Sequence, residues 1–139
     1  MSGSRSRNKG KRGEREVIGL LQLTIFEVYQ AHGLECPRLQ RNTLQSDRGG
    51  FDIVGIDWLA VEVKYQEYPQ LANWWKQTLR QAQGKEPVLF FRSNRKAWQV
   101  MMHALLGGPG CGITTNVVVS IEDFLRWLRI RLSQELRAL

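Results

Sequence analysis

Asp52, Glu62 and Lys64 stand in the stretch GGFDIVGIDWLAVEVKY, Gly49 to Tyr65, among Ile53, Val54, Ile56, Leu59, Ala60, Val61 and Val63. Burying an unpaired charge is costly, so charges in apolar surroundings are normally paired or bound to a metal. Side chains alternate faces along a strand, so Glu62 and Lys64 point the same way. A tight turn at Asp57–Trp58 would fold FDIVGI onto LAVEVKY and bring Asp52 to Glu62. Two carboxylates and the Val63 carbonyl then make an oxygen-rich pocket for a hard divalent cation, Mg²⁺ with Mn²⁺ as substitute. A lysine beside that pocket can orient or activate a water, or stabilise charge on a phosphate. Asp57 competes with Asp52 as ligand, but Asp is common in turns, and Asp52 is the favoured reading.

These residues need elements to position them. The spacing predicts a helix from Gly13, with Val17, Leu20, Leu21 and Val28 on its apolar face, widened by Ile18, Ile25 and Phe26, and a stop at Gly33. A short strand after Pro37 comes next, then a turn or mobile loop at SDRGG, then the hairpin. Leu71, Trp74, Trp75, Thr78, Leu79 and Ala82 form a helical stripe closed by Gly84. PVLFFR and AWQVMM read as paired strands, GGPGCG as a loop and TNVVVS as a short strand. Ser120 caps a last helix, with Asp123 three residues on as in a capping box and Ile121, Leu125, Leu128 and Leu132 inward. The order is α-β-β-β-α-β-β and a C-terminal helix. The helix between VEVKY and PVLFF can carry a crossover, which predicts an α/β fold with a mixed central sheet flanked by helices.

Asp52 with Glu62-Val63-Lys64 resembles the signature of the PD-(D/E)xK nuclease superfamily, with Phe51 where the motif's nominal proline stands. KGKRGEREVIGLL resembles the first helix of its archaeal-type Holliday junction resolvase branch, which also has phage-encoded members. QRNTLQSDRGGFDIVGI resembles that branch's basic strand, Ser/Gly-rich loop and metal aspartate. The resemblance covers roughly residues 9–100 and implies a restriction-endonuclease-like core and metal-dependent phosphodiester hydrolysis. It also implies a homodimer that cuts two strands of a four-way DNA junction. It matches Glu14 to a glutamate that helps bind metal; Glu16, two residues on, points to another side of the helix. Related nucleases often carry a glutamine near the attacking water, which singles out Gln77, with Gln81 one turn later as the alternative. The dimer is expected to use apolar surface of PVLFFR, AWQVMM and the last helix.

The 139-residue chain carries a formal net charge of +7, which favours a polyanionic partner, nucleic acid first. Arg5, Arg7, Lys9, Lys11 and Arg12 fall in a Gly/Ser-rich segment without an acidic residue, read as a mobile arm over residues 1–12 ahead of one nuclease domain, 13–139. Arg41, Ser46 and Arg48 flank the metal pocket and are candidate phosphate contacts. Trp74, Trp75 and Trp98 can stack on bases, although aromatics at this spacing are more often core. Cys36 and Cys111 form no CxxC and fit reduced thiols. No apolar run reaches membrane-span length and no export signal is read, so the expected setting is the cytoplasm of a prokaryotic cell, with a viral gene allowed. The alternatives are another nuclease of the superfamily (flap, nicking, exonuclease or restriction-type) or a non-catalytic basic nucleic-acid-binding module. A pure binder has no need of Asp52, Glu62 and Lys64 inside an apolar hairpin.

Overall fold

The computed structural model describes residues 2–43 and 50–139. Among the described residues the strands run β1 (Gln40–Arg41), β2 (Ile53–Val54), β3 (Leu59–Tyr65), β4 (Glu86–Arg92), β5 (Gln99–Gly108) and β6 (Cys111–Ser120). They form one mixed sheet in the order β1-β2-β3-β4-β5-β6. Neighbours are antiparallel except β3 and β4, which are parallel. Helix α2 (Leu71–Gln81) connects those two, as a parallel pair requires. Helices α1 (Ser2–Ala31) and α3 (Ile121–Arg137) complete the fold. No helix among the described residues is long and apolar enough to cross a membrane.

Strand alternation divides the core between the two faces of the sheet. Val61, Val63, Val88, Phe90, Val100 and Met102 pack with α1 and α3. Leu89, Phe91 and Met101 pack with Trp74 and Trp75 of α2. Trp74, Trp75 and Trp98 are therefore core residues. Glu62 shares the parity of Ala60 and Lys64, so it faces the α2 side of the sheet.

Several elements differ from the expectation. The helix expected from Gly13 runs without a break back through the basic segment to Ser2. It stops where expected: Gly33 has φ +67°, its N–H donates to the Gln30 carbonyl and the Leu34 N–H to that of Tyr29, a Schellman ending that glycine makes without strain. Phe26 is half exposed, because Val17, Leu21, Ile25 and Val28 already fill the inward stripe. On α3 the buried stripe is Phe124, Leu128, Leu132 and Leu136, displaced from the expected one because Phe124 packs edge-on against Phe90, with ring centroids 5.0 Å apart. Ser120 caps that helix as expected, its Oγ accepting from the Asp123 N–H at 3.1 Å.

The GGPGCG segment is not a loop but the closed end of a hairpin in which Gly108 pairs with Cys111. Pro109 and Gly110 make the turn. Gly110 has φ +74°, which suits the third position of a type II turn after proline. PVLFFR and AWQVMM are largely buried strands and cannot supply free dimer surface. Exposed apolar side chains include Leu105, Leu106 and Ile113 at the far end of the β5–β6 hairpin and Ile130 on α3.

Gly13 sets how closely α1 crosses β3. A Cβ at that position would lie 3.1 Å from Tyr65 Cβ and 3.4 Å from Val63 Cγ1. The bare backbone lets the next residue, Glu14, reach the open face beside β3. A side chain there would wedge helix from sheet, so Gly13→Leu is expected to lower stability by about 1–3 kcal/mol, the usual cost of overpacking. Gly19, where a Cβ would meet nothing within 4 Å, is the control: Gly19→Ala should be neutral or stabilising. Urea unfolding of both variants checks this.

Candidate functional site

The β2–β3 pairing sets Ile53 against Val61, and regular pairing ends there, because the Asp52 N–H bonds that same Val61 carbonyl as in a bulge. The Asp52 and Glu62 carboxyl groups nonetheless meet and share a hydrogen bond. Asp52 lies just before β2 and is tied to β3 twice. Its N–H donates to the Val61 carbonyl at 2.8 Å, and its Oδ2 accepts from the Val63 N–H at 2.8 Å. The Val63 amide therefore faces β2, and the Val63 carbonyl projects from the same edge.

Glu14, Asp52, Glu62, Val63, Lys64, Gln77 and Gln81 line one cavity of about 280 Å³. α1 brings Glu14, β3 brings Glu62 and Lys64 two residues apart, and α2 brings both glutamines. Glu62 is 2% exposed. Its pKa is pushed up to about 9, first by burial and then by the Asp52 carboxylate. Lys64 pulls it down, while a hydrogen bond with Asp52 and the charge of Glu14 add to the rise. The Gln81 amide, with its nitrogen turned to the site, donates to the Gly50 carbonyl at 2.9 Å and to Glu62 Oε1 at 2.7 Å. Gln77 lines the same cavity, but Gln81 is the glutamine that touches Glu62. A Cβ on Gly50 would lie 2.5 Å from the Gln81 amide, so this approach depends on glycine.

The competing acidic residues lie elsewhere. Glu16 accepts from Arg12 at 3.3 Å and from Arg92 and Trp98 at 2.9 Å each, which fastens α1 to β4 and the start of β5. Asp57 is exposed in the turn that the Leu59 N–H closes onto the Ile56 carbonyl. His32 bonds the Val28 carbonyl and His103 meets the Trp75 ring edge-on, so neither reaches the cavity.

The expected nucleic-acid contacts divide into groups. Arg5, Lys9 and Arg12 line a neighbouring cavity, while Arg7 and Lys11 are exposed on α1. Arg41 does not stand free: its Nε donates to Glu14 Oε2 in an ion pair. Ser46 and Arg48 lie outside the described residues. No sequence pattern announces the Arg41–Glu14 pair, because its members are far apart in the chain and meet only where α1 crosses β1.

Among the described residues no three His, Cys, Asp or Glu side chains form a ready cluster for a metal ion; Glu14 is engaged by Arg41. The donor set nonetheless fits a hard divalent cation. It is all oxygen, and it includes a buried carboxyl whose pKa burial and like charge raise, so a cation placed there would favour its ionised form.

A family model described as "Phage putative PDDEXK endonuclease" matches residues 5–107. Among curated proteins a sequence search finds no match. Among solved structures, Hjc, a Holliday junction resolvase from the archaeal hyperthermophile Archaeoglobus fulgidus, is similar at 19% identity and a TM-score of 0.47. The match covers 84% of this chain and 95% of that one.

The raised pKa of Glu62 fixes a pH dependence. Its folded value lies above its unfolded one, so the neutral form contributes stability that is full below the ordinary carboxylate range and is lost as pH rises toward about 9. In metal-free buffer the wild type should lose stability between pH 5 and pH 9, and Glu62→Gln should flatten that slope. Chemical denaturation across the range checks this; equal slopes would remove the buried neutral acid.

Proposed function

Since the chain belongs to the phage PDDEXK endonuclease family, we propose that the cavity around Glu62 is its nuclease centre and that branched DNA, a four-way junction first, is its substrate. The observation that carries the reading is the burial of Glu62 beside Asp52, with Lys64 on the same face and Glu14 alongside. Nothing in the packing of a hairpin calls for that grouping, and the charge it confines raises the free energy of the empty site. The preference for junctions rests on the resemblance of the α1 and β1–β2 segments to the resolvase branch.

Asp52 and Glu62 would hold Mg²⁺, or Mn²⁺ in its place, with Glu14 and the Val63 carbonyl helping. Such an ion supplies charge stabilisation at the phosphate and a more acidic water. Glu62 must release its proton to serve. Lys64, on the same strand face, orients the attacking water or neutralises charge on the phosphate. Gln81 fixes the Glu62 carboxyl, and Gln77 stands where it can bond the water. The water attacks phosphorus in line, and the 3′-oxygen leaves. Residues 13–139 act as one nuclease domain, while Arg5, Arg7, Lys9, Lys11 and Arg12 hold phosphates beyond it. Arg41, Ser46 and Arg48 hold phosphates near the cut, and Arg41 exchanges Glu14 for phosphate when DNA arrives.

Asp52→Ala and Glu62→Ala should lower cleavage by orders of magnitude. In metal-free buffer Asp52→Ala should bind DNA as well or better, since it removes a negative charge from the DNA-facing side, and Glu62→Ala should bind unchanged, since that carboxyl is already neutral there. Lys64→Ala should lose cleavage and bind slightly less well. The assay offers labelled four-way, three-way, flap, duplex and single-stranded DNA with Mg²⁺. Folded Glu62→Ala that cuts at the wild-type rate would sink the site. Equal cutting of junction and linear duplex would sink the junction preference.

Paired incision needs two matching sites, which a two-fold dimer supplies. Leu106 and Ile113, paired across β5 and β6 and exposed on one face of the hairpin, give such a dimer an apolar contact. Sedimentation at micromolar protein should show a dimer that Leu106→Glu with Ile113→Glu dissociates; a wild-type monomer with and without DNA would rule out paired cutting.

A further inference from the structure

A second cavity, of about 900 Å³, adjoins the candidate nuclease centre and shares Tyr65 and Gln66 with it. One wall is α1, where Arg5, Lys9 and Arg12 fall at helical spacing on a single face. The floor is the Tyr65 ring, with Lys9 Nζ at 5.1 Å and the Arg92 guanidinium at 4.8 Å from its centroid. The opposite wall, built by the β3–α2 connection and the β4–β5 turn, carries Tyr68, Gln70 and Asn94. Glu67 also lines the cavity and opposes anions there.

The composition of the two walls differs in a way that identifies a ligand. The α1 wall offers charge without shape, which suits phosphates. The far wall offers an aromatic face and two carboxamides, which suit base faces and base edges. Tyr68 is 76% exposed; no hydrophobic packing accounts for a tyrosine there. Base faces and Watson–Crick edges are open to protein only when a nucleotide has left its stack. The volume lies within the range of small-molecule sites and admits roughly one or two nucleotides.

We propose that this cavity holds unpaired deoxynucleotides next to the scissile phosphate, with Tyr68 stacking on a base and Arg5, Lys9 and Arg12 holding the adjoining phosphates. The proposal rests on the nuclease reading and adds to it a requirement: DNA must be unpaired close to the cut. A free strand end and an opened branch point present the same chemistry.

Binding in EDTA tests the cavity apart from cutting. The probes are a blunt duplex, the same duplex with a single-stranded tail, and a four-way junction with blunt arms. Tyr68→Ala should weaken binding of the tailed duplex roughly tenfold, the scale of one lost base–aromatic stack, and leave the blunt duplex unchanged. Tyr68→Phe, which keeps the ring, should bind like the wild type. A junction that weakens with the tailed duplex assigns the nucleotides to an opened branch point; one that behaves like the blunt duplex assigns them to a free strand. Unchanged affinity of Tyr68→Ala for the tailed duplex, or an equal loss on blunt duplex, overturns the proposal. Failure of the nuclease reading would appear in cleavage by Glu62→Ala, which this measurement does not use.

Discussion

Glu62 is a carboxylic acid with 2% of its surface exposed, set across a strand pair from a second carboxyl. An ionised side chain in that position loses its hydration and meets like charge, which pushes the pKa up to about 9. The rest of the fold serves this arrangement. The β2–β3 register brings Asp52 to it, α2 lays Gln81 across it, and α1 passes close enough at Gly13 for Glu14 to line the same cavity. Lys64 stands on the same strand face and moderates the charge. A core built only for stability would fill that position with valine.

The same economy of position appears in how the two acidic residues at the start of α1 are used. Glu14 and Glu16 are separated by one residue, which on a helix turns them to different sides. Glu16 receives Arg92 and Trp98 and so fastens the helix to the sheet. Glu14 faces the cavity and meets Arg41. The structural pair fixes the orientation of the helix, and that orientation aims the other glutamate. Glu14 therefore lines the cavity with a cation of its own beside it.

Charge along α1 follows from the same orientation. Because the helix continues back to Ser2, the basic residues of its first turns are ordered into faces rather than strung along a coil. Arg5, Lys9 and Arg12 share one face and border the second cavity, while Arg7 and Lys11 point elsewhere. A positive track thus lies beside a cavity lined with acidic groups, so the field changes sign across this face of the molecule.

Much of this was readable from residue order. The α/β class, the hairpin, the crossover between parallel strands, the Ser120 cap and the meeting of Asp52 with Glu62 all follow from local periodicity, because alternation and turn chemistry act over a few residues. Other features were decided only when distant segments packed. Which side of α3 is buried depended on Phe124 finding Phe90, and the helical state of the basic segment has no apolar stripe to announce it. The glycine-rich segment became a hairpin end because its strands continued the β5–β6 pairing. Arg41 beside Glu14 and Gln81 against Glu62 join residues from separate elements through side chains whose reach no spacing rule encodes. The sequence by itself determined which residues could do chemistry and which strand face they share; the tertiary structure decided their partners, because partner choice is set by where helices cross the sheet.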